Sequence, residues 1–132
     1  MNRFQSPSAL ENSLVAAFEG NTIAALNAAQ SCKVTFEGRN SIGNEFGLGV
    51  RVEMKTTRGN VMTPTGKAHW AKVGDGIVGH SKRALVALVE PFGFSWSDVE
   101  KAFARPGEGG KQVVSLLYLV NRLEANRETC LV

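Results

Sequence analysis

The chain has 132 residues, which is enough for one domain with an ordinary hydrophobic core. Its 43% of hydrophobic and 20% of charged residues are typical of a globular protein and exclude a wholly disordered chain. The net charge is +3, and no apolar run approaches the roughly 18 residues that span a bilayer. We therefore expect a single globular domain over residues 1–132 that makes no contact with the membrane.

Two features predict a cytoplasmic location. Glu11 and Glu19 interrupt the segment that would have to be the apolar part of a signal peptide, so no secretion signal is expected. The two cysteines, Cys32 and Cys130, are too few for a disulfide framework. Free thiols in a reducing compartment are therefore favoured over a disulfide bridge.

The positive charge is concentrated in the middle of the sequence. Residues 1–32 and residues 85–132 each carry a net charge of −1, whereas residues 33–84 carry a net charge of +5. Segregated charge is a stronger indication of an acidic partner than the total charge is. The middle segment is therefore the predicted contact region.

An αα-hairpin is predicted at the N-terminus. Ser8 with Glu11 three residues later is typical of a capping box at the start of a helix. A second short helix is predicted over residues 22–30, with Ile23 and Leu26 facing inward. The apolar residues of the first helix that share one face are Leu10, Leu14, Ala17 and Phe18.

The period of the apolar residues changes to 2 in the middle of the chain. Residues 32–37 and 50–55 alternate apolar and polar side chains, which predicts two half-buried strands. A third strand is predicted between Lys67 and Val73, and Pro64 places the stretch before it in a loop or an edge strand. Because about three strands stand together between two sets of helices, the order favours an α+β fold with a small antiparallel sheet.

The C-terminal part predicts a helical layer. Residues 81–90 suit either a buried strand or a buried helix, and Pro91 favours the helix by ending it. Ser95 with Asp98 three residues later is a second capping signature. Residues 111–126 predict the longest helix, which is apolar over most of its surface. Such a helix is either central in the core or buried in a homo-oligomer.

The sequence contains no catalytic, nucleotide-binding or metal-binding motif that meets its own spacing rules. Gly59 and Lys67 lie too far apart for a phosphate-binding loop, and Ala68 stands where that loop has a serine or threonine for magnesium. His69 and His80 lie far from both cysteines, so no zinc site is expected. We therefore predict a protein that is not an enzyme and needs no cofactor.

The basic residues of the middle segment are the predicted binding site. On a strand, Arg51 and Lys55 project from the same face. Trp70 would stack on a base if it were exposed and would belong to the core if it were buried. Lys82 and Arg83 oppose the helix dipole at a helix start, which indicates a functional reason for them. The predicted contact residues are Arg51, Lys55, Arg58, Lys67, Trp70, Lys72, Lys82 and Arg83.

Two functions are compatible with this basic surface. The first is binding of DNA or RNA through the phosphate backbone. The second is docking on the acidic surface of a protein partner, as an inhibitor, an adaptor or an assembly subunit. A viral accessory protein would also have this size and lack of motifs. Glu37 and Glu53 interleave with the basic residues, so a solvated sheet face with scattered ion pairs is the third interpretation.

Overall fold

A computed structural model describes residues 4, 6–38, 48–55, 70–74, 76–79, 82–103 and 110–130, with the backbone alone at positions 48, 72, 129 and 130. Short 3-10 helices lie at Val15–Phe18 and Glu90–Phe92. The helices and strands are, in chain order, α1 (Pro7–Leu14), α2 (Thr22–Ser31), β1 (Lys33–Gly38), β2 (Leu48–Lys55), β3 (Trp70–Val73), β4 (Gly76–Gly79), α3 (Lys82–Val89), α4 (Trp96–Ala102), β5 (Lys111–Ser115) and α5 (Leu116–Cys130). This order confirms the predicted α+β class.

The strands form one antiparallel sheet in the order β3-β4-β2-β1-β5. About three strands are predicted from the sequence, and the described sheet has five. The prediction missed β4 because its two apolar residues, Ile77 and Val78, stand between glycines and show no alternation. It missed β5 because residues 111–115 continue into a helix.

The predicted helix over residues 111–126 is divided into β5 and α5. Val113 and Val114 are β-branched, which lowers their helix propensity and suits the strand that pairs with β1. The hydroxyl of Ser115 accepts a hydrogen bond from the backbone N–H of Tyr118 at 3.1 Å, which caps the first turn of α5. The apolar residues of α5 that are buried within this one chain are Leu116, Leu119, Val120 and Leu123.

One face of the sheet forms the hydrophobic core with the helices. The ring of Phe36 stacks on that of Phe103 with 4.8 Å between centroids. Burial of each such side chain contributes about 1.5–3 kcal/mol. The strand residues that pack into this core are Val34, Phe36, Val50, Val52, Met54 and Val114. We call this side of the sheet the inner face.

The N-terminal helix pair is confirmed, with two corrections. Ser6 rather than Ser8 caps α1, because its hydroxyl accepts a hydrogen bond from the backbone N–H of Ala9 at 3.3 Å. Ile23 is 69% exposed instead of facing inward. The side chain of Asn21 caps α2 and sets the start of the helix. With the helix starting after Asn21, the residues of α2 that face the core are Ala24, Ala25, Ala28 and Ala29.

The segment that suited either a helix or a strand is helical as α3. Leu85, Leu88 and Val89 are fully buried on its inner side. The capping signature before α4 is confirmed, since the carboxylate of Asp98 accepts a hydrogen bond from the backbone N–H of Ser95 at 2.8 Å. Both helices therefore belong to the layer that covers the inner face.

Candidate functional site

The face of the sheet opposite the core carries charged side chains from three strands. Directly paired residues of an antiparallel sheet point to the same side, so the register assigns every strand residue to a face. The described helices pack on the inner face. The residues of the opposite face, which we call the outer face, are Lys33, Thr35, Glu37, Gly49, Arg51, Glu53, Lys55, Ala71, Val73, Gly76, Val78, Lys111, Val113 and Ser115.

The exposure of the outer face varies from strand to strand. Thr35 and Val78 are buried, and both lie on strands with a neighbour on each side. Val73 and Val113 lie on the two edge strands and are 55% and 59% exposed. The charged residues are half-buried or exposed. A ligand on this face would therefore meet charged and apolar side chains together.

Two ion pairs form on the outer face. Arg51 Nε lies 3.3 Å from Glu53 Oε1, and Lys111 Nζ lies 3.8 Å from Glu37 Oε1. Arg51 Nε is buried and has no hydrogen-bond partner among the described residues, so its contact with Glu53 is electrostatic only. The four side chains are between 40% and 67% exposed. Pairs this exposed contribute about 0–1 kcal/mol, which an acidic ligand can replace.

Lys33 and Lys55 are the outer-face cations that form no ion pair within the described part of the chain. Both side chains are exposed. Lys33 pairs with Glu53 across the sheet, so Lys55 is its diagonal neighbour, roughly 7–8 Å away between Cα atoms. With four cations and two carboxylates, the described outer face carries a net charge of +2.

The backbone under Lys55 is anchored to the end of α2. The backbone N–H of Lys55 donates a hydrogen bond to the hydroxyl of Ser31 at 3.2 Å. Its carbonyl oxygen accepts a hydrogen bond from the side-chain amide of Asn27. Hydrogen bonds to α2 thus fix both the N–H and the carbonyl of Lys55, and only its side chain is left to move toward a ligand.

The structure separates Trp70 from the outer-face cations. Residue 70 pairs with Gly79 and alternates with the outer-face residues Ala71 and Val73, so it lies on the inner side of the sheet. The indole is half-buried against the core, and its Nε1 is buried without a hydrogen-bond partner among the described residues. Residue 72 is two positions from Trp70 on the same strand and pairs with Ile77 of β4. Trp70 is therefore not an aromatic platform on the outer face.

The other predicted contact residues are divided between two places. Arg51 and Lys55 lie together on the outer face. Lys82 and Arg83 are exposed at the start of α3, and Lys82 Nζ lies 5.3 Å from the centroid of the Trp96 ring. Two further predicted contact residues, Arg58 and Lys67, lie outside the described residues.

Two outer-face cations, Lys33 and Lys111, were missing from the predicted set. The alternation of residues 32–37 already places Lys33 on the side of Thr35 and Glu37, so a face-by-face reading of that strand would have included it. No such signal identifies Lys111, because its position on the outer face depends on β5, which pairs with a strand far away in the sequence.

Arg127 in the helical layer has structural partners. Arg127 Nη2 donates hydrogen bonds to the carbonyl of Gly93 at 2.7 Å and to Asp98 at 3.3 Å. Its guanidinium carbon also lies 4.1 Å from the centroid of the Phe94 ring. The hydrogen bond from the Ser95 backbone lowers the pKa of Asp98, and Arg127 lowers it further. These contacts attach α5 to the start of α4.

The thiol of Cys32 is free and buried in the core. Burial raises the pKa of the Cys32 thiol to about 12, which suppresses its thiolate. Among the described residues, no three His, Cys, Asp or Glu side chains are grouped so that they could hold a metal ion. His69 and His80 lie outside the described residues.

The described helices include none that is both long and apolar enough to cross a membrane. Comparison of the chain with protein-family models, with curated proteins and with solved structures finds no match. The outer face is therefore interpreted from its own residues.

Proposed function

We propose that the protein is a non-enzymatic binding protein that binds nucleic acid through the outer face of its sheet. The observation that supports this proposal is the pair Lys33 and Lys55, which are exposed, adjacent and without an ion pair in the described structure. Arg51 and Lys111 extend the positive surface. Each forms an exposed ion pair with a glutamate carboxylate, which a phosphate can replace. Contacts of this kind carry affinity without a strong sequence preference.

The placement of Trp70 changes the expected mode of binding. With the indole on the inner side of the sheet, the described outer face has cations and apolar residues but no aromatic ring. Binding should therefore depend mainly on phosphate contacts and weaken steeply with salt. Base stacking on Trp70, which was the sequence-based expectation for an exposed indole, is not part of this proposal.

The test is fluorescence anisotropy with labelled 20-nucleotide DNA and RNA at 50 mM salt. We expect the double variant Lys33→Ala/Lys55→Ala to bind some tens of times more weakly, because two phosphate contacts and the counterions that they release are lost. The matched control is Lys82→Ala/Arg83→Ala, which removes the same charge from the start of α3 and should retain the wild-type affinity.

Two results would contradict the proposal. If wild-type protein binds neither DNA nor RNA at 50 mM salt, nucleic acid is not the partner. If the Lys82→Ala/Arg83→Ala variant loses affinity and the Lys33→Ala/Lys55→Ala variant does not, the site lies on the helical layer. Circular dichroism of both variants distinguishes loss of binding from loss of folding.

A second candidate function is docking on an acidic protein surface. The observation that favours it is the exposure of Val73 and Val113 on the same face as the cations. Apolar residues beside charged ones are typical of protein interfaces. This function predicts only weak nucleic-acid binding and a stable complex with the protein partner, so the anisotropy measurement also separates the two candidates.

A further inference from the structure

We infer that the nucleic acid is bound as a single strand, with about four nucleotides lying along a staggered row of outer-face cations. This inference rests on the proposed function and specifies its ligand. It is carried by three properties of the outer face: the order of its cations, the width of the sheet and the uncharged residues on both sides of the row.

The register places the four cations one after another along the sheet. Lys33 is opposite Glu53, so it lies at a level between Lys55 and Arg51 on β2. Lys111 is opposite Glu37, which lies two residues beyond the level of Arg51. The order along the strand direction is therefore Lys55, Lys33, Arg51 and Lys111.

This row has the length of a short single strand. Each step covers two residues, about 6.7 Å, so the three steps extend roughly 20 Å along the strands. The row also crosses from β2 to β5, roughly 10 Å at the usual strand spacing. The row is thus about 22 Å long and holds four cations, which matches about four phosphates of an extended single strand, whose phosphates lie farther apart than the 3.4 Å rise of stacked duplex DNA.

The sheet is too wide to enter the major groove of a DNA duplex. Five strands span about 19 Å, whereas the major groove of B-DNA is about 12 Å wide and admits a helix or a two-stranded ribbon. The outer face of this five-stranded sheet can thus touch a duplex only on its outer phosphates. A single strand needs no groove and can lie on the face.

The residues beside the row suit unpaired bases better than a second phosphate strand. On the side of β3 and β4, the described outer-face residues are Ala71, Val73, Gly76 and Val78, which have no charge. On the side of β5, Val113 is 59% exposed. Unpaired bases can turn their flat faces onto such apolar side chains, whereas duplex bases are stacked inside the helix. A duplex would place its second charged strand over uncharged residues.

The experiment compares a 12-nucleotide single strand with a hairpin duplex of the same sequence, by competition anisotropy with the 132-residue chain. We expect the single strand to bind at least ten times more tightly at 50 mM salt. Affinity should rise with oligothymidine length up to about four nucleotides and then level off. With four phosphates contacted, the slope of log affinity against log salt should be about −3.

Variants at exposed valine and isoleucine residues test the role of the bases. Val113→Ser should weaken the single strand several-fold and leave the duplex unchanged. The matched control is Ile23→Ser, since Ile23 is 69% exposed on α2, and this variant should not change either affinity.

Each remaining outcome has a defined meaning. If the duplex binds as tightly as the single strand, the inference is wrong and the proposed function stands. Equal competition by a polyglutamate peptide of the same charge also overturns the inference, because that peptide has no bases. If no nucleic acid binds at 50 mM salt, the proposed function itself fails.

Discussion

The two faces of the sheet are formed by alternate residues of the same strands and have opposite properties. On β1, Val34 and Phe36 are fully buried in the core, whereas Lys33 is exposed on the outer face. Stability and the proposed binding are thus divided between neighbouring positions. A substitution on one face should change one property and leave the other nearly constant, which makes the division testable residue by residue.

Arg127 and two outer-face lysines show the same division. Arg127 in the helical layer has a carbonyl, a carboxylate and an aromatic ring as partners. Lys33 and Lys55 on the outer face have no ion-pair partner in the described structure. Formal charge therefore overstates the charge available to a ligand, and the partners of each cation must be examined individually.

The largest expected effect comes from the inner face. Phe36→Ala removes a fully buried ring that stacks on Phe103, and should lower the free energy of unfolding by about 3–5 kcal/mol. Urea denaturation followed by circular dichroism measures this loss. The control is the adjacent outer-face variant Glu37→Ala, which should stay within about 0.5 kcal/mol of wild type. Equal losses in both variants would mean that the two faces are not distinct.

A smaller effect is expected in the helical layer. Arg127→Met keeps most of the side-chain volume but removes the hydrogen bond to the Gly93 carbonyl, and should cost about 1–2 kcal/mol because charged donors form the stronger hydrogen bonds. The matched control on the outer face is Lys55→Met, with an expected change below about 0.5 kcal/mol. If Arg127→Met leaves the free energy of unfolding unchanged, Arg127 and the outer-face lysines do not differ in their contribution to stability.

The smallest effect concerns the cap of α4. Asp98→Asn should lower stability by about 1 kcal/mol near neutral pH, because the charged acceptor of the Ser95 N–H is lost. The folded state lowers the pKa of Asp98, so its contribution is complete above the unfolded pKa of about 3.9 and disappears as the pH falls through the lower folded pKa. Thermal unfolding at pH 7 and pH 3 should show the two proteins converging in acid. Glu100→Gln, exposed on the same helix, is the control and should stay within about 0.5 kcal/mol of wild type at pH 7.

Much of the fold was predictable because its strongest elements have clear periods. The alternation in β1 and β2 and the helical spacing from Leu10 to Phe18 are local signals, and both were interpreted correctly. The position of β5 was not predictable, since Val113 and Val114 fit a helical pattern as well as a strand. Its assignment requires knowledge that it pairs with β1.

The candidate site was predictable only in part, for a related reason. Alternation shows that Arg51 and Lys55 share a face, but it does not tell which residues of a distant strand share that face with them. Trp70 is the clearest example, because the four residues of β3 have no pattern that distinguishes the core side from the outer side. The register with β4 decides the matter.

The distance in sequence between β1 and β5 has a consequence for the order of synthesis. β1 ends at Gly38, and its second neighbour begins only at Lys111. As the chain leaves the ribosome, β1 can pair with β2 at once, but its other edge stays unpaired until residues 111–115 emerge. Exposed strand edges are templates for pairing with other chains. The emerging chain is thus most exposed to aggregation before β5 covers that edge, and a chain terminated before Lys111 would retain this exposed edge permanently.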